Sequence, residues 1–161
     1  MKTLPTKVLI EKQIMNGELY SFQIICILLA LENFSGQNNY GLEIYQSWIE
    51  SRKKRGVYSS SINLALLARS FELNGFIESM PVEVDPNDMM LNGGTHRTAC
   101  SIFYGIDNIP ISTRERDEKY RAAPKYYGIR YFKNSPCFTS NHVDIMQNRW
   151  NQVVNKYGLL I

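Results

Sequence analysis

Apolar residues recur at helical spacing over much of this chain. From Glu18 to Phe34, Tyr20, Ile24, Leu28 and Leu31 share one face and Phe22, Ile25 and Leu29 thicken it, which predicts a helix buried on all sides. Ser35 to Asn39 is a polar loop, and a second helix is expected over Tyr40 to Arg55, with Leu42, Tyr45, Trp48 and Ile49 as its apolar stripe. Ser59, Ser60 and Ser61 are N-cap candidates for a third helix, Ile62 to Asn74, stopped by Gly75. A last helix, His142 to Tyr157, places Val143, Met146, Trp150 and Val153 inward and ends at Gly158. Lys7 to Ile10 is too short for periodicity to separate a strand from a helical turn, and Asn16-Gly17 breaks it.

Alternation takes over in the middle. Val82 and Val84 fall on one side of Met80 to Asp85 and Glu83 on the other, with Pro81 confining this strand to an edge or to its first residue. Met89 to Leu91 is a candidate partner strand across the turn Asp85-Pro86-Asn87-Asp88, and Ile109 to Ile111 a third. Tyr126 to Phe132 is aromatic and alternating, so a strand is expected there too. Helices grouped around a few short strands predict an α+β fold in one domain over 1–161.

Composition narrows the classes. With 161 residues, 44% of them hydrophobic, the chain can bury a full core. A net charge of +3 permits nucleotide binding without requiring nucleic acid. Cys26, Cys100 and Cys137 are an odd, widely spaced set, which argues against a disulfide framework and for a reducing cytoplasm. The most apolar run, Phe22 to Leu31, is too short to span a bilayer, and Met1 to Glu11 lacks the apolar stretch of a secretory leader, so no membrane association is expected.

The chemistry concentrates in Asn92-Gly93-Gly94-Thr95-His96-Arg97-Thr98, where an apolar run meets two glycines and a helical pattern begins. Ala99, Ile102 and Phe103 repeat at helical spacing, Thr95 is the expected N-cap and Gly105 the C′ residue. Glycines let backbone N–H groups approach a ligand, and a helix N-terminus offers free donors and partial positive charge. His96 and Arg97 in the first turn oppose the macrodipole, a placement that a bound phosphate would reverse in sign. A rival explanation is that Arg97 pairs with Asp85 or Asp88.

These residues resemble the ParB/sulfiredoxin superfamily. The order helix, P-x-x-V strand, turn, short strand, G-G-x-H-R, helix, glycine and I-P-x strand covers Ile62 to Ile111. The resemblance implies a mixed-sheet core over 62–111, with a helical extension over 1–61 and a loop, strand and C-terminal helix over 112–161. It implies a nucleotide-phosphate cradle made by Gly93, Gly94, Thr95, His96, Arg97 and Thr98. Members include an ATP-dependent sulfinic acid reductase, a CTP-hydrolysing DNA clamp and free serine kinases, so ATP or CTP with Mg²⁺ is the expected cofactor. Sulfiredoxin carries F-G-G-C-H-R; Thr95 stands at its reactive cysteine, which excludes chemistry through that thiol. The serine kinases carry D-G-x-H-R, and Gly93 stands where their acid does. No helix-turn-helix like that of the DNA clamps is visible after the motif.

Phosphoryl transfer asks mainly for positioning and charge neutralisation. Arg97 and the helix N-terminus are expected to supply the cation and the backbone donors, and His96 is a further expected catalytic residue. Asn92 could orient a hydroxyl or complete a Mg²⁺ shell, and the base would be Glu83, Asp85 or Glu11. Arg52, in the run Arg52-Lys53-Lys54-Arg55, is a further candidate phosphate contact, although the macrodipole alone explains basic residues at a helix C-terminus. Thr113 to Lys125 suits a loop over the site, offering Lys119, Arg121 and Lys125. His96, Cys100, Cys137 and His142 could make a Cys₂His₂ zinc site, but the close cysteine pair of such sites is missing, so no metal ligands are assigned. Two readings follow: nucleotide-dependent phosphotransfer to a small hydroxylated molecule, or a non-catalytic nucleotide-binding module that could touch DNA through Arg52 to Arg55.

Overall fold

The computed structural model describes residues 2–54, 63–117 and 127–161, and its fold is α+β. In chain order the elements are β1 (Lys2–Pro5), α1 (Thr6–Lys12), β2 (Ile14–Met15), β3 (Glu18–Leu19), α2 (Gln23–Phe34), α3 (Gly41–Lys54), α4 (Leu64–Asn74) and β4 (Val82–Val84). They continue with β5 (Leu91–Gly93), α5 (Thr95–Phe103), β6 (Asn108–Thr113), α6 (Ile129–Asn134) and α7 (Ser140–Tyr157).

Four strands form a mixed sheet in the order β1-β6-β4-β5. β4 runs parallel to β6 and antiparallel to β5, with Glu83 opposite Gly93. Pro81 precedes β4, so the strand keeps its hydrogen bonds and lies in the interior of the sheet. As the alternation predicts, Val82 and Val84 are buried, and they pack with Leu9, Ile109 and Ile111 between the sheet and α1.

The larger core centres on α2, whose residues from Ile24 to Leu31 are all at most 2% exposed. It packs against α3, α5 and α7, which is why its sequence is apolar on every side. The α2–α3 approach is close: a Cβ on Gly41 would lie 1.9 Å from the Leu29 carbonyl oxygen. Only glycine lets the two backbones meet there.

Several expectations are corrected. The helix expected from Glu18 starts at Gln23, because Asn16 (φ 52) and Gly17 (φ 77) form a tight turn joining β2 to β3. Two consecutive positive φ values match the twist of hairpin strands, so Asn-Gly joins strands here rather than merely ending one. Lys7 to Ile10 is helical, and β1 before it was not anticipated. Of the strand expected over Tyr126 to Phe132, Tyr126 lies outside the described residues and Tyr127 makes a single parallel bridge to Ser21. From Ile129 the chain is instead the helix α6, whose Phe132 is fully buried against Phe22, Trp48 and Phe138. The Tyr127 ring, just before the helix, meets Tyr131 edge to face, and aromatic residues two and four apart pass for alternation in so short a window. α4 begins at Leu64 with Asn63 as its cap, its side chain accepting from the Leu66 N–H; the serine candidates lie outside the described residues.

Candidate functional site

The motif sits where β5 turns into α5. Gly94 (φ 91, ψ 21) is the N-cap, and Thr95, expected in that role, is the first helical residue. The reason is steric: at Gly94 a Cβ would lie 3.0 Å from Val82 Cγ2 and 3.1 Å from Val82 Cα, in a conformation that side chains rarely adopt. Gly93 is different, since a Cβ there would meet nothing within 4 Å. One glycine is demanded by the fold, and the other faces open space. Because glycine has no side-chain acceptor, no side chain caps α5, and the N–H groups of Thr95, His96 and Arg97 head the helix. Thr98 is committed, its amide and hydroxyl both donating to the Gly94 carbonyl at 2.9 Å.

His96 turns toward α3. Its Nε2 lies 3.0 Å from the Tyr45 hydroxyl, ring edge to ring face. Burial, then the charges of Arg52 and Arg97, hold its pKa down at about 4, so the ring is neutral at pH 7. Burial also pushes the Tyr45 phenol up, keeping its proton. Arg52 lies with its guanidinium 5.2 Å from the centre of the Trp48 ring, and its Nε is buried without a hydrogen-bond partner among the described residues. Sequence reasoning placed Tyr45 in a packing stripe and missed its contact with His96. The signal was there, because Tyr45 and Arg52 are seven apart and therefore share a face of α3.

Arg97 donates through Nη1 to the carbonyls of Met80 and Pro81. It pairs with neither Asp85 nor Asp88, both of which go to Arg116: Nε lies 3.3 Å from Asp85 Oδ2, and Nη2 reaches Asp88. Asp85 is fully buried; burial alone would raise its pKa, but hydrogen bonds from Arg116 and Asn87 outweigh it and hold the carboxyl well below the usual range. Of the three base candidates, Asp85 is thus spent on structure and Glu11 pairs with Lys7 along α1. Glu83 stands opposite Gly93, pairs with Arg114 Nη2 at 2.9 Å and acts electrostatically on Arg97.

Beside the start of α5 opens a cleft of about 720 Å³ lined by Tyr20, Gln23, Asn92, Thr95, Arg114 and Tyr127, among others. Its walls are the β3–α2 junction, β5 and the residues after β6. The structure therefore brings Asn92 and Thr95 to the cleft, and puts Arg52 and Arg97 near enough to His96 at the helix start for both charges to act on it. Asn92 donates through Nδ2 to the Arg114 carbonyl, and its buried Oδ1 has no hydrogen-bond partner among the described residues. Of the other basic residues considered, Lys53 pairs with Glu50 at 3.7 Å, while Arg55, Lys119, Arg121 and Lys125 lie outside the described residues.

The four zinc candidates are not brought together. His142 belongs to the capping box of α7 with Thr139 and lies 3.4 Å from Glu43, and Cys100 is fully buried with its thiol pushed up to about 12 by desolvation. Among the described residues no group of three His, Cys, Asp or Glu side chains is placed to hold a metal ion, and no helix is long and apolar enough to cross a membrane. Comparison with protein-family models, with curated proteins and with solved structures finds no match.

Proposed function

We propose that this chain binds ATP or CTP, as the Mg²⁺ complex, at the start of α5 and transfers the terminal phosphoryl group to a small hydroxylated molecule, the chemistry that its resemblance to the ParB/sulfiredoxin superfamily suggests. One observation carries the reading: an uncapped helix start at which Arg52, His96 and Arg97 gather and where, among the described residues, neither arginine has a carboxylate ion pair. The amides of Thr95, His96 and Arg97 would take phosphate oxygens, with the two guanidinium groups neutralising charge that develops during transfer. Neutral His96 would serve as a hydrogen-bonding group and not as a cation. Mg²⁺ is usually held by phosphates, water and one or two carboxylates, and Glu83 is the carboxylate beside the turn. The same Glu83 is the candidate to take the acceptor's hydroxyl proton as the new O–P bond forms and the bond to the leaving nucleoside diphosphate breaks.

Binding without turnover is favoured by two features: Gly93 replaces the motif acid of the serine kinases, and Glu83 is already paired with Arg114. Incubation with ATP or CTP, Mg²⁺ and pooled polyols or amino acids separates the two. Transfer gives diphosphate release that depends on the acceptor, and a binding module gives none. Arg97→Ala should abolish nucleotide binding, measured by calorimetry, while thermal unfolding stays cooperative. Undiminished affinity in that variant would sink the assignment.

A further inference from the structure

The cleft beside α5 carries chemistry that phosphate binding does not use. Two polar atoms of its lining residues, Gln23 Oε1 and Asn92 Oδ1, are buried with no hydrogen-bond partner among the described residues. Buried amide oxygens are normally satisfied, and two orphans on opposite walls of one cleft call for donors from outside the protein. Terminal carboxamide torsions are broad and soft, so a modest turn presents either oxygen to a guest.

Two arginines, Arg114 and Arg116, and two acidic residues, Glu115 and Asp117, line the walls. Arg114 pairs with Glu83, and Arg116 pairs with Asp85 and Asp88, so neither arginine is left to attract a carboxylate. Tyr20 adds aromatic surface and a hydroxyl, and the packed ring of Tyr127 closes one side. Amide and carboxylate acceptors beside aromatic side chains fit a hydroxyl-rich ring, and with both arginines already paired a carboxylate-bearing guest finds no ready cation.

We propose that this cleft binds a small neutral polyol or sugar, whose hydroxyls donate to Gln23 Oε1 and Asn92 Oδ1. That this ligand is the phosphoryl acceptor rests on the function proposed above; the binding itself does not. Thr95 belongs both to the cleft and to the first turn of α5, which sets a hydroxyl of the guest beside the phosphate position.

The full chain, isotopically labelled, is titrated with D-ribose, myo-inositol and L-serine while amide resonances are followed by NMR, and separately with ATP and Mg²⁺. A polyol should shift resonances of Tyr20 to Gln23, Asn92 and Thr95, and L-serine should leave them in place. Gln23→Leu should weaken polyol binding about tenfold, the scale of one lost hydrogen bond to a buried partner. Its melting temperature should hold or rise, because an orphan oxygen is removed; a merely structural glutamine would lower it. Asn92→Ser repeats the affinity test on the opposite wall. The proposal is overturned if neither polyol shifts the cleft resonances, if L-serine alone does, or if both variants bind polyol as the parent does. Polyol binding without ATP binding would defeat the phosphotransfer reading and leave the cleft site standing, and the reverse result would do the opposite.

Discussion

Adding one methyl group to each glycine of the motif should have opposite consequences. In Gly94→Ala the new Cβ lies 3.0 Å from Val82 Cγ2 and 3.1 Å from Val82 Cα, and Val82 is fully buried in the strand interior, so the backbone contact cannot be relieved by a rotamer change. Forcing an L-residue to φ 91 costs about 1–2 kcal/mol. Overpacking against a fixed neighbour adds about 1–3 kcal/mol. The sum, about 2–5 kcal/mol, corresponds to a fall of about 4–20 °C in melting temperature for a chain of this size. Gly93→Ala meets nothing within 4 Å and has no positive φ, so its stability should match the parent or exceed it by up to about 1 kcal/mol. Yet its methyl group occupies the open space before α5, where a nucleotide phosphate would approach. Thermal unfolding followed by circular dichroism, together with ATP titration by calorimetry, reads both. A Gly94→Ala protein as stable as the parent would refute the close approach to Val82. A Gly93→Ala protein with unchanged ATP affinity would refute the idea that this glycine makes room for a ligand.

The pKa of His96, held at about 4 against an ordinary 6.5, makes the unfolded chain bind its proton more readily than the native one does. The stability His96 contributes is therefore present above pH 6.5 and is lost as pH falls toward 4, by on the order of 3 kcal/mol. Urea unfolding across that window should show a slope that His96→Gln lacks; identical slopes would mean that the ring is not held neutral. Phe132→Ala, emptying a fully buried site between Phe22, Trp48 and Phe138, should cost about 3–5 kcal/mol in urea unfolding, and a surface-like cost below about 1 kcal/mol would contradict the packing of α6. Gly41→Ala should be among the most damaging single-methyl changes, because its Cβ would lie 1.9 Å from the Leu29 carbonyl; a cooperative melt at the parent temperature would show that α2 and α3 are further apart.

Long amphipathic segments were legible before the structure, and local chemistry explains where reading stopped. α2, α3, α4 and α7 lie where apolar spacing puts them, to within a few residues, and the inward faces of Val82 and Val84 follow from alternation alone. α6 was mistaken for a strand because six residues cannot distinguish a period of two from the spacing of Tyr127, Tyr131 and Phe132. At the motif, the helix start was visible but not its cap: nothing in Gly-Gly-Thr says which residue leaves the helix, whereas the contact with Val82 decides it. The cleft was invisible in outline. Asn92 and Thr95 are close in sequence, but Tyr20, Gln23, Arg114 and Tyr127 come from three distant segments, and their meeting depends on tertiary contacts.

Those contacts run largely through one side chain. Gln13 is fully buried, and its carboxamide donates to the Leu9 and Met89 carbonyls while accepting from the Leu91 amide and the Ser21 hydroxyl. It thereby fastens α1 and β5 to the segment that leads into α2. A buried carboxamide with all its sites satisfied fixes geometry, because any displacement leaves several polar groups unpaired at once. On the cleft that these segments line, Gln23 and Asn92 each have a buried oxygen with no hydrogen-bond partner among the described residues. The full satisfaction of Gln13 argues that the junction of α1, β5 and the segment before α2 is rigid, so that a guest entering the cleft meets partners already fixed in place.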